Sequence, residues 1–475
     1  MTSETTPAGP LRVAIVGGGV TGLVAAWRIL AERPDAEVSL LEASDRLGGQ
    51  VRAIDVDGVQ VDVGAEAIHL GAPDAAALVR ELGLDRSVIA ARHGQSMLLT
   101  RRGLRPLPAG VGPTGPTQVG PVLKSGILSV PGLVRAGLEP FTRRPRPYDL
   151  TVGEFIDGRF GREVTDTFVD PLLGNLHSGS VHQLSLHATA KQLVPVAASG
   201  TSLLIRALKK PTPPPRRPDA PAPLPMFASW PGGLGALVSA LVSALEGRAT
   251  LRTGVRAEAI VQAGDAWRIE SSGGPAEADA VVVAVGPGAT RRLLGPHSPS
   301  LDAAMDQVET ASVATVVLAY DKKAVRDNAV LRDFNGLLLN SRQSGVLKAM
   351  TNMSRKWPLD HPDWHIVRAS VGRAGSTTAV ELSDEAMAAA VTHELSGLLG
   401  LAAKPAFAEV VRWPGTLPQL AVGHLERIAA ARSELARLGG LHLAGSASDG
   451  LGLTSTIASG TAAARAVVEG GGRRG

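Results

Sequence analysis

At the start of the chain, the spacing of apolar residues changes from that of a strand to that of a helix and back. Residues 11–16 form a short apolar, β-branched run that enters three consecutive glycines at 17–19. Apolar residues then recur at helical spacing over 23–30, and a second strand-like run occupies 37–41. The order strand, tight turn, helix, strand is that of a β-α-β unit of about 30 residues, so the pattern predicts an α/β beginning.

The same patterns predict elements further along. After residue 86 the sequence pattern changes: glycine and proline are frequent over 103–121, and segments with helical spacing follow. This pattern indicates a helical insertion. Residues 211–225 hold 8 prolines in 15 positions. Because proline can neither pair in a central strand nor continue a helix, we expect an extended, mobile loop there. Helices are predicted near 74–84, 122–138, 152–160, 164–173, 235–245, 383–399 (with Ser383 as cap) and 456–468, and strands near 250–253, 257–262, 267–271, 280–285, 313–320, 336–339, 366–371 and 441–444.

Composition narrows the class of protein. Hydrophobic residues make up 44% of the 475 and charged residues 19%, which excludes wholesale disorder, collagen-like structure and a simple coiled coil. The length predicts about three domain-sized units. A net charge of +4 is too small to predict a nucleic-acid partner. The first ten residues show no secretory signal and the apolar run 234–245 is too short to span a bilayer, so we expect a cytoplasmic protein.

The chain has no cysteine. This excludes disulfides, thiolate catalysis, cysteine-ligated zinc, iron–sulfur clusters and any cofactor tethered through a cysteine.

The first turn has the spacing of a dinucleotide-binding motif. Gly17, Gly19 and Gly22 follow a predicted strand and open a predicted helix, and Glu42 comes 25 residues after Gly17. In that context the first glycine makes the turn, the second lets backbone approach a pyrophosphate, and the third packs helix on strand. The phosphates would lie against the positive helix end, and Glu42 would bind a ribose hydroxyl pair.

Two more fragments favour FAD over NAD. Residues 42–49 read EASDRLGG and end in two further glycines, and residues 61–66 read VDVGAE. Together with the first turn, in order and within 66 residues, these fragments are specific. Further matching segments are 78–84, 171–174, 184–186, 232–237, 354–358, 412–414, 417–419, 422–425, 444–445 and 449–453. On these residues the chain resembles the flavin amine oxidase superfamily and, more closely, the protoporphyrinogen/coproporphyrinogen oxidase family.

The resemblance implies a fold class and its division along the chain. We expect an α/β protein in which a Rossmann-like FAD-binding domain of the flavin amine oxidase type holds an inserted α+β substrate domain with a helical subdomain. FAD-binding segments would be 10–85, 226–295 and 412–470. The substrate domain would comprise a helical part at 86–224 and a sheet at 296–411.

The resemblance also implies the cofactor and its residues. FAD would be bound without a covalent link, in agreement with the absence of cysteine. The residues implied to line it are Gly17, Gly19, Gly22, Glu42, Ala43, Arg46, Gly49, Gly64, Ala65, Val255 at the adenine end, and Trp413, Gly445, Gly450 and Leu451 near the flavin.

The implied activity is the removal of hydride equivalents from a reduced tetrapyrrole to FAD, with molecular oxygen as acceptor. The chain departs from the family where substrate should bind: His69, Asn175 and His177 stand near positions where the family has aromatic, arginine or small residues. They are candidate substrate contacts, and no catalytic side chain is assigned. Two interpretations stay open: a coproporphyrinogen-type oxidase, or a paralogue that oxidises or desaturates an amine or a secondary-metabolite intermediate.

The remaining histidine and arginine clusters do not predict a specific binding site. His177, His182 and His187 are spaced by five, which turns each about 140° from the last on a helix, so no metal site is predicted. Arginines at 101, 102 and 105, or at 143, 144 and 146, could attract carboxylates or an anionic membrane surface, although a solvated face is the simpler interpretation. A weak peripheral membrane contact is therefore left open, as is the oligomeric state.

Overall fold

The structure, a computed structural model, describes residues 9–142, 144–208, 223–341 and 345–470. The proline-rich loop expected at 211–225 lies outside the described residues except for its last three positions. Arg143 and the tail after Gly470 lie outside them as well.

The described strands are numbered in chain order. They are β1 (Arg12–Val16), β2 (Glu37–Leu41), β3 (Ala53–Val56), β4 (Val59–Asp62), β5 (Ile68–His69), β6 (Ile89–Ala90), β7 (Gln95–Thr100), β8 (Gly103–Pro106), β9 (Val111–Gly112), β10 (Gly115–Pro116) and β11 (Phe227–Ser229). The remainder are β12 (Ala249–Arg252), β13 (Ala257–Ala263), β14 (Ala266–Ser271), β15 (Ala276–Ala278), β16 (Ala280–Val283), β17 (Thr310–Asp321), β18 (Phe334–Leu338), β19 (Leu347–Asn352), β20 (Trp364–Val371), β21 (Phe407–Pro418) and β22 (Leu441–Leu443).

The α-helices are numbered in the same way. They are α1 (Val20–Glu32), α2 (Pro73–Glu81), α3 (Val119–Ser125), α4 (Val130–Gly137), α5 (Glu139–Thr142), α6 (Val152–Phe160), α7 (Arg162–Val164), α8 (Asn175–His177), α9 (Leu186–Thr189), α10 (Val194–Ser199) and α11 (Leu203–Leu208). After these come α12 (Gly235–Leu245), α13 (Pro287–Leu294), α14 (Pro299–Asp306), α15 (Lys322–Val325), α16 (Ala329–Asp333), α17 (Met353–Lys356), α18 (Thr378–Glu381), α19 (Asp384–Leu399), α20 (His424–Leu438), α21 (Ser446–Asp449) and α22 (Leu453–Gly470).

A five-stranded parallel sheet, in the order β12-β2-β1-β16-β22, forms the first layer. Val13 and Ile15 of β1 pack with α1, α12 and α22 on one face, whereas Ala14 and Val16 pack with α13, α14 and α20 on the other. Because both faces are covered, the central strands β1 and β16 are almost entirely apolar, as in parallel sheets generally. This arrangement confirms the predicted α/β class with a Rossmann-like sheet.

A seven-stranded mixed sheet, in the order β21-β17-β20-β19-β18-β7-β8, forms the second unit of structure. The hairpin of β7 and β8 lies in a stretch where the sequence pattern indicated only loops and helices. Here the prediction was wrong. Strand β7 pairs in parallel with β18, which lies more than 230 residues later, and a local sequence pattern does not show such a distant partner. The domain boundaries given above stay predictions.

Helices α3 to α11 enclose a separate core built around Phe155, Phe160 and Phe168. The helix predicted near 164–173 is present, but Thr165–Gly174 is wound as a π-helix with Pro171 inside it. Proline lacks the N–H that an α-helical bond would need, which accounts for the wider turn. The predicted cap of α19 is confirmed, since Ser383 Oγ accepts from Ala386 N at 3.2 Å.

Within the described ranges, no helix combines the length and the apolar character that crossing a membrane would require.

The helical core contains one fully buried carboxylate, Glu139. Its oxygens accept from Arg159 Nη1 at 3.3 Å, from the Ser202 hydroxyl, and from the backbone N–H of Leu203 (3.0 Å) and Leu204 (3.2 Å). One side chain therefore joins α5, α6 and the start of α11. A buried carboxylate is tolerated only when it is compensated in this way.

Glu139→Ala should destabilise the helical unit by about 3 to 5 kcal/mol, because it removes the buried acceptor of Arg159, the Ser202 hydroxyl and two backbone N–H groups. Chemical denaturation followed by circular dichroism measures the change. As a control, Asp35→Ala breaks the exposed pair with Arg33 and should change the unfolding midpoint little. Equal effects of the two substitutions would contradict the structural role of Glu139.

Candidate functional site

A cavity of about 440 Å³ opens at the carboxyl edge of the parallel sheet. Its wall is formed largely by residues that follow the sheet strands: Gly17 and Gly19 after β1, Glu42 after β2, Ala284 to Gly286 after β16, and Gly445 and Ser446 after β22. Ligands of open α/β sheets bind at this edge because the helix N-termini and the turn backbone meet there.

The three glycines of the first turn differ in what confines them. Gly17 has φ +112°, and a Cβ on it would lie 2.4 Å from the Ala284 carbonyl oxygen. A Cβ on Gly22 would lie 1.9 Å from the Gly17 carbonyl oxygen. At Gly19 the nearest protein atom to a Cβ would be Gly49 Cα, at 3.9 Å. Gly17 and Gly22 are therefore required by the fold, whereas Gly19 faces the open cavity.

Helix α1 starts at Val20, directly after Gly19. No side chain caps this end, and its first turn contains no acidic residue. The N–H groups of a first helical turn have no partner within the helix, so they are free to bind an anion at the cavity wall. The open face of Gly19 and this uncapped helix end fit a pyrophosphate.

Glu42 is held at the cavity wall by its neighbours. One carboxylate oxygen accepts from Gly18 N at 2.7 Å, and the other accepts from Ser44 N and Oγ at 2.8 Å. Each oxygen can accept more than one hydrogen bond, so the carboxylate can still accept from ribose hydroxyls. Val255 lies behind it, with its N–H donating to the Glu42 carbonyl oxygen at 2.9 Å.

Arg46 fixes the loop that follows Glu42. Its guanidinium donates to the carbonyl oxygens of Gly49 (2.6 Å), Val51 (3.2 Å) and Leu47 (3.4 Å). Burial and the charge of Arg52 lower the pKa of Arg46. Arg46 therefore shapes the cavity through the backbone of Gly49, which is itself part of the lining.

Ala65 lines the cavity, and Gly64 and Trp413 are packed next to it. A Cβ on Gly64 would lie 1.8 Å from the Gln50 carbonyl oxygen, and the Trp413 ring lies directly behind Gly64. The indole N–H of Trp413 donates to the Val63 carbonyl oxygen at 3.2 Å. Ala65 lines the cavity, whereas Gly64 and Trp413 support it from behind.

The last segment, 445–453, contributes two of the three predicted residues to the lining. Gly445 and Leu451 face the cavity, and α22 begins at Leu453 beside them. Gly450, like Gly22 and Ala43, lies outside the lining. Gly450 has φ +114°, which places its role in the turn between α21 and α22.

Sequence reasoning missed two stretches of the lining, 284–286 and 414–416. The first had a signal, because a Gly-Pro-Gly sequence begins at Gly286, just after the apolar strand β16. In the second stretch, Pro414 belongs to the matching segment 412–414, whereas Gly415 and Thr416 had no signal of their own, because their position depends on the path of β21 to the cavity.

A buried ion-pair cluster stands next to Ala65. Glu66 contacts Lys356 on one oxygen and Arg368 on the other. Burial alone would raise the pKa of Glu66, but the two cations lower it to about 2. Arg368 also donates to the carbonyl oxygens of Asp62 (2.9 Å) and Gly64 (3.2 Å). The cluster thereby holds the backbone that carries Ala65.

The three candidate substrate contacts do not form one group. His69 lies at the end of β5, edge to face with Phe227, and its carbonyl oxygen accepts from Thr454 Oγ at 3.2 Å. Asn175 and His177 lie together on α8, the turn that follows the π-helix. Elsewhere, His182 lies beside Asp157 and Asp166 at the surface.

His177 is 4% exposed, and its ring Nδ1 has no hydrogen-bond partner among the described residues. Burial lowers the pKa of His177 to about 4, so the imidazole is neutral near pH 7. Its carbonyl oxygen accepts from Gln419 Nε2 at 2.9 Å. Gln419 follows β21, whose residues 414–416 line the cavity, and this contact connects the α8 turn to the cavity wall.

Comparison with known proteins gives the family. The model of the flavin containing amine oxidoreductases matches residues 20–468, and the chain belongs to this family. Coproporphyrinogen III oxidase of Mycobacterium tuberculosis (strain ATCC 25618 / H37Rv) is 32% identical over 465 residues, covering 97% of this chain and 98% of the relative. Coproporphyrinogen III oxidase of Bacillus subtilis (strain 168) is 29% identical, covering 96% and 97%.

A solved structure agrees with these relatives. A provisionally assigned protoporphyrinogen oxidase from Exiguobacterium sp. 255-15 superimposes with a TM-score of 0.84 at 29% identity, covering 96% of this chain and 98% of that one. The predicted resemblance is thereby confirmed. The chain is a flavin-dependent oxidoreductase whose relatives include the porphyrinogen oxidases.

Gly19→Val should fold and yet lose flavin. Its side chain meets no protein atom closer than 3.9 Å at Cβ, but it enters the space that fits the pyrophosphate. We expect flavin affinity to fall at least about tenfold, about 1.4 kcal/mol, measured by the flavin absorbance of protein purified and then reconstituted with FAD.

The matched control is Gly22→Val, which should fail to fold because its Cβ overlaps the Gly17 carbonyl. A Gly19→Val protein with full flavin loading would contradict the assignment.

Proposed function

We propose that the chain oxidises coproporphyrinogen III to coproporphyrin III, with FAD held without a covalent bond and molecular oxygen as the final acceptor. The observation that carries this proposal is the near full-length similarity to coproporphyrinogen III oxidases, on a chain whose cavity fits a dinucleotide. Cytoplasmic location and weak membrane contact stay predictions. The prediction of a weak membrane contact is supported by four exposed apolar side chains on or beside α4 and α5: Val130, Val134, Leu138 and Phe141.

FAD, when bound, supplies the hydride acceptor; the chain itself supplies position and environment. The turn at Gly19 and the start of α1 would hold the diphosphate, and Glu42 the ribose. Ala65 and Leu451 would lie against the redox-active end. The ion pairs of Glu66 keep the Ala65 backbone in place, so the distance from substrate to cofactor would be set by rigid elements.

On the substrate side, α8 brings a neutral imidazole and an amide together in a dry environment. Asn175 and His177 are both buried. Among the described residues the His177 Nδ1 has no hydrogen-bond partner, so it can accept a hydrogen bond from a substrate N–H. Oxidation of a porphyrinogen loses protons from pyrrole nitrogen as well as hydride from carbon. A neutral hydrogen-bonding group beside the ring therefore suits this reaction.

The substrate assay tests the proposal directly. The purified, FAD-loaded protein should consume oxygen and form coproporphyrin fluorescence with coproporphyrinogen III, more slowly with protoporphyrinogen IX, and not with simple amines. Acid denaturation should release intact FAD into the supernatant. Turnover of amines without porphyrin formation would replace the proposal by the alternative of a paralogous amine oxidase.

His177→Ala should lower kcat at least about tenfold while leaving bound flavin unchanged, because it removes a substrate contact and not a cofactor contact. His177→Gln should recover part of the loss, since it restores a neutral hydrogen-bonding group. His187→Ala is the matched control and should behave as wild type. Unchanged kinetics for His177→Ala would make His177 a packing residue.

A further inference from the structure

A lysine lies buried behind the α8 turn. Lys348, on β19, is 6% exposed, and its ammonium group donates to the hydroxyl of Ser178. A hydroxyl carries no charge and compensates a buried cation only in part. Burial, together with the charges of Arg373 and Arg368, lowers the pKa of Lys348 to about 7.

A second cation, Arg373, stands on the other side of the same turn. Its Nη1 donates to Asn175 Oδ1 at 2.6 Å, and Asn175 Nδ2 donates to the carbonyl oxygens of Leu339 (2.9 Å) and Lys348 (3.3 Å). Asn175 therefore joins the Arg373 guanidinium to the backbone of Lys348, while the Lys348 ammonium group is held by Ser178. Burial lowers the pKa of Arg373 as well.

The carboxylate near these cations, Asp170, accepts hydrogen bonds from backbone N–H groups. Asp170 raises the pKa of Arg373 through space, but its two oxygens accept from Ser341 N at 2.9 Å and Val181 N at 3.5 Å. Within the ranges that the structure describes, neither Lys348 nor Arg373 has a carboxylate within 4.0 Å. The cluster of Lys348, Arg373 and Asp170 thus carries more positive than negative charge in a largely buried environment.

The turn between these cations is strained and reaches the surface at one point. Ser178 has φ +53°, unusual for a residue other than glycine, and its carbonyl oxygen accepts from Ala374 N at 2.7 Å. Such backbone strain is concentrated at binding sites. Leu176, between Asn175 and His177, is 64% exposed, so the turn reaches the surface at this residue.

We propose that Lys348 and Arg373 form a carboxylate-binding site, which anchors one acidic side chain of the substrate beside His177. The Ser178 hydroxyl holds Lys348 until the substrate carboxylate takes its place. Arg373 offers a planar set of donors and Lys348 a compact charge, the usual pair of partners for a carboxylate. The identity of the substrate rests on the proposed function, but the binding of a carboxylate does not.

The first experiment uses propionate, the simplest probe, on FAD-loaded protein. Sodium propionate should raise the unfolding midpoint above that in sodium chloride of equal ionic strength. The increment should disappear in Lys348→Met and in Arg373→Gln. Lys404→Met, an exposed lysine on another loop, is the matched control and should keep it.

The second experiment compares coproporphyrin III with its tetramethyl ester, using quenching of protein fluorescence. Wild-type protein should bind the free acid at least about tenfold more tightly, and Lys348→Met should remove the preference without changing ester binding. If neither porphyrin binds but propionate still protects through Lys348, the tetrapyrrole function fails and the site stands. If both effects are the same in wild type and Lys348→Met, the site is overturned.

Stability separates binding from structure. Replacing a buried, incompletely compensated cation by methionine should leave the unfolding midpoint unchanged or raise it. A lower midpoint of Lys348→Met with unaltered carboxylate binding would show a purely structural lysine and contradict the proposal.

Discussion

The close approach of backbone to backbone at the carboxyl edge of the parallel sheet is the constraint on which the rest of the structure depends. Gly22 packs against the Gly17 carbonyl, and Gly17 against the carbonyl after β16, at distances that exclude any side chain. Because these turns are so tight, α1 begins directly at the edge and its unpaired N–H groups face the cavity. Gly19 has no such restraint, and that freedom identifies the surface meant for a ligand.

Charge is compensated differently in two clusters, one beside Ala65 and one at the α8 turn. Beside Ala65 the cations Lys356 and Arg368 have their anion in Glu66, and the cluster is structurally complete. At the α8 turn, the hydrogen bonds of Lys348 and Arg373 within the described residues go to hydroxyl and amide oxygens and not to a carboxylate. The same physical rule, that buried charge needs compensation, therefore explains a rigid support in one place and an incomplete site in the other.

The helical unit and the mixed sheet bring the second site together. The π-helix ends where α8 begins, and β19 and the segment that follows β20 bring Lys348 and Arg373 into contact with this turn. The contact of Gln419 with the His177 carbonyl connects this turn to the strand that lines the cavity. The proposed substrate site is thereby connected to the cavity wall through the end of β21.

The sequence by itself determined the first β-α-β unit, the glycine turn and the family. These depend on residues close together in the chain, where period and spacing are visible: β1, Gly17 to Gly22 and Glu42 lie within about 30 residues of each other. Only the tertiary structure decided the hairpin of β7 and β8, the lining at 415–416 and the pairing of Lys348 with Ser178, 170 residues apart in the chain. A lone lysine in a strand carries no sign of its partner, because its burial and charge balance exist only once distant segments have packed around it.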